Sequence, residues 1–82
     1  MSYFVYILKS LKSAKIKTYV GYTNNLKKRI LMHNTGKGAK STRGRKWKLV
    51  YKKIYFTKNE AMSKEYILKN DRKLRKKILS KI

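Results

Sequence analysis

An α/β (α+β) fold is predicted from this sequence: a small three-stranded, mainly antiparallel sheet flanked by helices in the order β-β-α-β-α, the last helix divisible in two. Three observations carry the prediction. Three short runs are dense in β-branched and aromatic residues, two longer stretches repeat apolar residues at helical spacing, and each of the latter begins at a side chain able to cap it. At 82 residues the chain is expected to form one domain, spanning 1–82, with a thin core.

Tyr3-Phe4-Val5-Tyr6-Ile7-Leu8 is continuously apolar, which suits a central strand buried on both faces. Alternation sets Tyr3, Val5 and Ile7 on one face and Phe4, Tyr6 and Leu8 on the other. A mostly polar connection over Lys9–Lys17 leads back, hairpin-fashion, to a second strand at Thr18–Thr23. There Tyr19 and Gly21 oppose Val20 and Tyr22. Thr23 or Asn24 then caps a helix whose apolar stripe is Leu26, Ile30 and Leu31, and which runs to about His33 before Asn34-Thr35-Gly36 stops it.

Residues 34–46 contain three glycines, three hydroxyl residues and five basic residues, and read as a flexible segment suited to wrapping phosphates. A third strand follows at Trp47–Phe56, with Leu49, Tyr51 and Tyr55 on one face and Val50, Ile54 and Phe56 on the other. Thr57, with Glu60 three residues on, makes a capping box for the last helix. Its apolar positions are Ala61, Met62, Ile67, Leu68, Leu74, Ile78 and Ile82. Asn70-Asp71 marks where it can break, and Lys73, Arg75, Lys76, Lys77 and Lys81 make its end strongly basic.

Charge is the dominant global feature. Twenty-four Lys/Arg against three acids give a formal +21, where an ordinary small domain carries a magnitude of roughly 2 to 8. Positions 1–59 hold no Asp or Glu at all; the acids are Glu60, Glu65 and Asp71. A polyanion would offset the self-repulsion, and nucleic acid is the expected partner ahead of an anionic membrane surface. The absence of cysteine excludes disulfides and thiolate metal sites. No apolar run approaches about 18 residues, and no leader pattern is evident, so a soluble, cytoplasmic, nucleoid-associated protein without a membrane role is expected.

With nucleic acid as partner, phosphodiester hydrolysis is the chemistry to consider. It needs a base for water, a cation against developing charge and usually a metal on a carboxylate. Glu60 is explained as a cap and Asp71 as a turn residue. Glu65 falls beside the inward face of its helix, where it is either a metal ligand or the partner of a lysine or arginine. Arg29 and His33 lie four residues apart on one helix face, close in sequence to the strand-end glycine Gly21, and form a phosphate-sized arrangement. Tyr6 and Tyr19 read either as core residues with polar tips or as bases whose pKa, about 10 when free, is lowered by nearby cations. One histidine and no cysteine rule against zinc.

Val5-Tyr6-Ile7, then Tyr19-Val20-Gly21 after an 11-residue gap, followed by Thr23, Leu26, Arg29 and His33-Asn34, resembles the GIY-YIG nuclease domain. Gly36-Lys37-Gly38-Ala39-Lys40, Thr42-Arg43-Gly44-Arg45, Trp47-Lys48-Leu49-Val50-Tyr51 and Asn59-Glu60-Ala61 through Glu65 narrow the resemblance to the small stand-alone bacterial members, relatives of the catalytic domain of structure-selective flap nucleases. It implies a metal-dependent DNA endonuclease acting in repair or recombination. The motif tyrosines fall on Tyr6 and Tyr19, either of which serves as the base; the phosphate-contacting arginine falls on Arg29, its neighbouring histidine on His33, and the ligand of a single Mg²⁺ or Mn²⁺ on Glu65. Lys27, Lys28, Lys37, Lys40, Arg43, Arg45 and Lys46 are expected to bind the nucleic acid backbone. Three departures stand out: Val5 replaces a motif glycine, Val20 a motif isoleucine, and Lys77 an asparagine used in some branches. Related nucleases choose substrates through attached domains, which here implies a separate protein partner. The alternative is a catalytically weak or inactive nucleic-acid-binding protein on the same scaffold.

Overall fold

The structure is a computed structural model describing residues 2–11 and 17–80. Strands β1 (Tyr3–Leu11) and β2 (Thr18–Thr23) precede helix α1 (Leu26–Asn34); a 3₁₀ turn at Lys40–Thr42 leads into strand β3 (Lys46–Tyr55), and helices α2 (Lys58–Asn70) and α3 (Arg72–Ser80) complete the chain. The sheet order is β2-β1-β3 with both pairings antiparallel. The predicted α+β architecture is therefore correct, and the last helix is split. Residues 12–16 of the expected β1–β2 connection, and Lys81 and Ile82 of the expected last helix, lie outside the described residues. No helix among the described residues is long and apolar enough to cross a membrane.

β1 is central because both of its faces are apolar, and each face gathers its own cluster. Val5, Ile7 and Val20 pack with Ala61 and Leu68 of α2, joined by Ile78 and Leu79 of α3. On the opposite face Tyr6, Leu8 and Trp47 pack with Leu26 and Ile30 of α1. The alternation expected for β1 and β2 holds on both faces. Each fully buried side chain of this size contributes roughly 1.5–3 kcal/mol, so two thin layers share the work of one core.

In β3 the expected alternation fails at one point. Ile7 pairs with Tyr51 whereas Leu8 pairs with Leu49, so Val50 is an extra residue and the ladder is bulged. Leu49 accordingly packs on the α1 face while Tyr51 packs on the α2 face, not on one face as the period predicts. The bulge also places Val50 on the α2 side.

Local capping accounts for the helix ends. Asn25, one or two residues later than expected, caps α1 by accepting from Lys28 N–H at 3.2 Å. Thr23 is used differently: its hydroxyl accepts from Asn25 N–H, 3.1 Å away, to shape the turn from the strand. Gly36 follows the helix with φ +81°, the left-handed backbone that favours glycine. Thr57 caps α2 through Glu60 N–H at 3.1 Å. Asp71 ends α2 and caps α3, its carboxylate accepting from Leu74 N–H at 2.9 Å, which explains that acid fully.

Candidate nucleic-acid interface

The two halves of the expected site meet. Tyr6 and Tyr19 from the α1 face of the sheet, Arg29 from α1 and Glu65 from α2 all line one cleft of about 550 Å³. Residues of both sheet faces contribute, Val20 and Tyr22 from the α2 side among them. The cleft therefore runs over the edge strand β2. Gly21 makes this approach possible: a Cβ there would lie 2.6 Å from the Tyr6 hydroxyl and 3.0 Å from the Tyr19 ring. The ring centroids of Tyr6 and Tyr19 are 6.3 Å apart.

Behind the cleft lies a buried hydrogen-bond chain whose polarity can be assigned. The Thr42 hydroxyl donates to the Ala39 carbonyl at 2.7 Å. Having spent its only proton there, it accepts from Nδ1–H of His33 at 2.9 Å. Nε2 of His33 is thus the unprotonated nitrogen, and the Tyr6 hydroxyl donates to it at 2.9 Å. Tyr6, His33 and Thr42 are all fully buried. Arg29 hydrogen-bonds the Tyr6 oxygen and also reaches Tyr19; the bond to Tyr6 holds Arg29 above its ordinary pKa.

The titration behaviour opposes a base at Tyr6. Burial pushes its pKa up to about 12, and the hydrogen bond from Arg29 only partly opposes the shift. The expectation that nearby cations lower it is corrected: desolvation outweighs them. His33 is pushed down to about 4, chiefly by burial and then by Arg29. At neutral pH both are uncharged, and their shared proton points away from the cleft.

The segment 34–46 is not the flexible strap its composition implies. Asn34 clamps Trp47, accepting from its N–H at 2.6 Å and donating to its carbonyl at 3.3 Å. The Trp47 indole donates to the Thr42 carbonyl at 3.0 Å. Gly38 passes so closely over His33 that a Cβ would stand 2.5 Å from Nδ1. Composition alone hid this packing; the signals were Gly38, Thr42 and Trp47, whose roles emerge only once His33 is known to be buried.

The basic residues expected to bind nucleic acid divide into groups, none of which lines the cleft. Lys27 and Lys28 border a groove on the outer side of α1 with Ile30 and Leu31. Arg45 and Lys46 border another with Gly36 and Gly44. Lys37, Lys40 and Arg43 are exposed on the loop. The cleft has instead two cations that sequence reasoning missed, Lys58 and Lys69. They stand seven residues before and four after Glu65, hence on its side of α2, and that spacing was the available signal.

A family model described as the GIY-YIG catalytic domain matches residues 2–78. The chain belongs to the GIY-YIG family. Among the relatives of this GIY-YIG chain are UPF0213 proteins of Oceanobacillus iheyensis, 48% identical over 82% of this chain and 76% of that protein, and of Clostridium perfringens, 52% identical over 80% and 69%. The solution NMR structure of a UPF0213 protein from Bacillus halodurans is similar with a TM-score of 0.58 and 39% identity, covering 98% of this chain and 84% of that one. The GIY-YIG fold supports nucleic-acid binding.

The metal-dependent endonuclease expected from the resemblance is corrected here, and with it the hydrolase and DNA-repair reading and the Mg²⁺ or Mn²⁺ cofactor. Among the described residues no group of three or more His, Cys, Asp or Glu side chains could hold a metal ion. Glu65 is the single carboxylate lining the cleft, which Arg29, Lys58 and Lys69 also line. One carboxylate among three cations repels a divalent cation; oxygen-rich sites for such ions present several oxygen ligands instead. The similar proteins share the name UPF0213, which states no hydrolase activity. The cleft fits an anion.

Proposed function

We propose that this protein binds nucleic acid, DNA foremost, on a GIY-YIG scaffold that is catalytically weak or inactive. The observation that carries the reading is the charge of the cleft: three cations, Arg29, Lys58 and Lys69, line it with one carboxylate, in a chain whose first 59 residues contain no acid. Arg29 is the proposed anchor for a backbone phosphate, its guanidinium held by Tyr6 and Tyr19 so that little freedom is lost on binding. Tyr6, His33 and Glu65 hold positions in this reading and transfer no proton. Lys27, Lys28, Lys37, Lys40, Arg43, Arg45 and Lys46 add longer-range attraction. A cytoplasmic, nucleoid-associated location and a separate protein partner that chooses among nucleic acids belong to the same proposal.

Fluorescence anisotropy with labelled duplex, single-stranded and RNA oligomers tests it. Arg29→Ala is expected to weaken duplex binding by about 1.5–3 kcal/mol, the worth of hydrogen bonds to charged groups, and EDTA to leave affinity unchanged. Equal affinity of wild type and Arg29→Ala at matched salt overturns the assignment of the cleft. Cleavage that requires Mg²⁺ and disappears in Glu65→Gln overturns the inactive reading.

A further inference from the structure

The second sheet edge carries a basic surface that the cleft does not use. Lys46, Lys48, Lys52 and Lys53 of β3 are all exposed. Lysines on an edge strand discourage strand-to-strand association, but that explanation is not sufficient here. β2 is equally an edge, and its six residues, Thr-Tyr-Val-Gly-Tyr-Thr, carry no charge. Lys48 moreover stands directly opposite Lys9 in the β1–β3 ladder. Lys9 belongs to the central strand and protects no edge, and like charges placed opposite one another destabilise a sheet. None of the three acids lies in β1, β2 or β3 to relieve the pair. Lys53 is held over the Tyr55 ring at 5.8 Å from its centroid, which keeps that ammonium at the edge.

We propose that Lys9, Lys48 and Lys53, on the α2 side of the sheet, together with Lys52, on its α1 side, make the β3 edge a second binding surface for duplex nucleic acid, so that one molecule bridges two duplexes. This rests on the proposed nucleic-acid binding at the cleft and goes beyond it. The cleft runs over β2 and the lysines follow β3, with β1 between them and helices covering both faces of the sheet. The protein measures only 36 × 28 × 20 Å. A duplex with a persistence length of about 150 bp does not turn around so small a body, so the two edges take separate segments.

The test immobilises duplex DNA on beads, saturates it with protein, removes the excess and offers a second, fluorescent duplex. Wild type is expected to capture the second duplex. The triple variant Lys48→Gln, Lys52→Gln, Lys53→Gln is expected to hold the first duplex with less than about threefold loss of affinity yet to lose capture of the second. A second triple variant, Arg72→Gln, Lys73→Gln, Lys76→Gln, removes the same charge from α3 and is expected to capture normally. Three results overturn the proposal: no capture by wild type that binds the first duplex, undiminished capture by the β3 variant, or equal loss in both variants, which would make capture follow net charge alone. Failure of wild type to bind even the first duplex refutes instead the reading of the cleft.

Discussion

His33 is the only histidine in the chain and is fully buried, so its proton is unusually easy to follow. In the unfolded chain it titrates near 6.5; folded, burial and Arg29 hold it at about 4. Between those values the unfolded state takes up a proton that the folded state refuses. Stability is therefore full above pH 6.5, falls as pH drops towards 4, and loses nothing more from this group below that. The slope approaches 1.4 kcal/mol per pH unit, for a total on the order of 3 kcal/mol. With only three acids in the chain, urea denaturation across pH 4–7 should show this dependence clearly, and His33→Gln should flatten it. The glycines beside this chain of bonds make a second prediction. Gly38→Ala forces a methyl against His33, at 2.5 Å from Nδ1 and 3.0 Å from Cα, and neither atom is free to yield. A loss of about 1–3 kcal/mol, typical of overpacking, is expected in the same denaturation assay. Tyr6, Tyr19, Arg29 and Glu65 were gathered into one site by the resemblance. Strand period and helix spacing alone left the tyrosines between core and site and Glu65 between ligand and ion-pair partner, and the fold brings all four to one cleft. The bond from His33 to Thr42 was not legible in the sequence, since no periodicity relates a helix residue to a loop nine positions away.

At the level of elements, the last helix shows how one residue sets an architecture. Asp71 terminates α2 and caps α3 through Leu74 N–H, allowing Ile78 and Leu79 to fold back onto the sheet cluster. Asp71→Ala is expected to lower stability by about 0.5–2 kcal/mol, the usual worth of such a cap, whereas Asp71→Asn retains an acceptor and should lie near wild type; thermal denaturation followed by circular dichroism measures both. The break was readable because Asn70-Asp71 interrupts an otherwise strong helical run. The bulge in β3 was not. Leu49, Val50 and Tyr51 are contiguous apolar residues, so period two offers no preference for where the alternation slips; only the partner strand decides, through Ile7 with Tyr51 and Leu8 with Leu49. Similarly, the glycines and hydroxyls of 34–46 describe a loop's composition without revealing that Asn34 and Trp47 close it.

For the whole molecule the governing quantity is +21 spread over 36 × 28 × 20 Å. At 0.01 M salt the screening length is about 30 Å, as large as the protein, whereas at 0.1 M it is about 10 Å. At low salt nearly every cation repels every other, and the compact state carries the penalty. Salt and nucleic acid should both stabilise the fold, but they are separable. Added salt is expected to raise the melting temperature of the free protein between 0.01 and 0.1 M, while weakening duplex affinity with a log–log slope of about 0.9 per phosphate contacted. Duplex DNA present at about 100 times its dissociation constant should add about 2.7 kcal/mol, equivalent to roughly 10–20 °C for a chain of this size. At fixed duplex concentration the DNA-induced increment must then shrink as salt rises, even as the baseline climbs. Differential scanning fluorimetry across a salt series, with and without duplex, resolves the two trends. An increment that persists at high salt would mean that contacts other than phosphate neutralisation dominate. An increment that vanishes with Arg29→Ala while the baseline trend stays the same would place ligand stabilisation at the cleft and self-repulsion in the molecule as a whole.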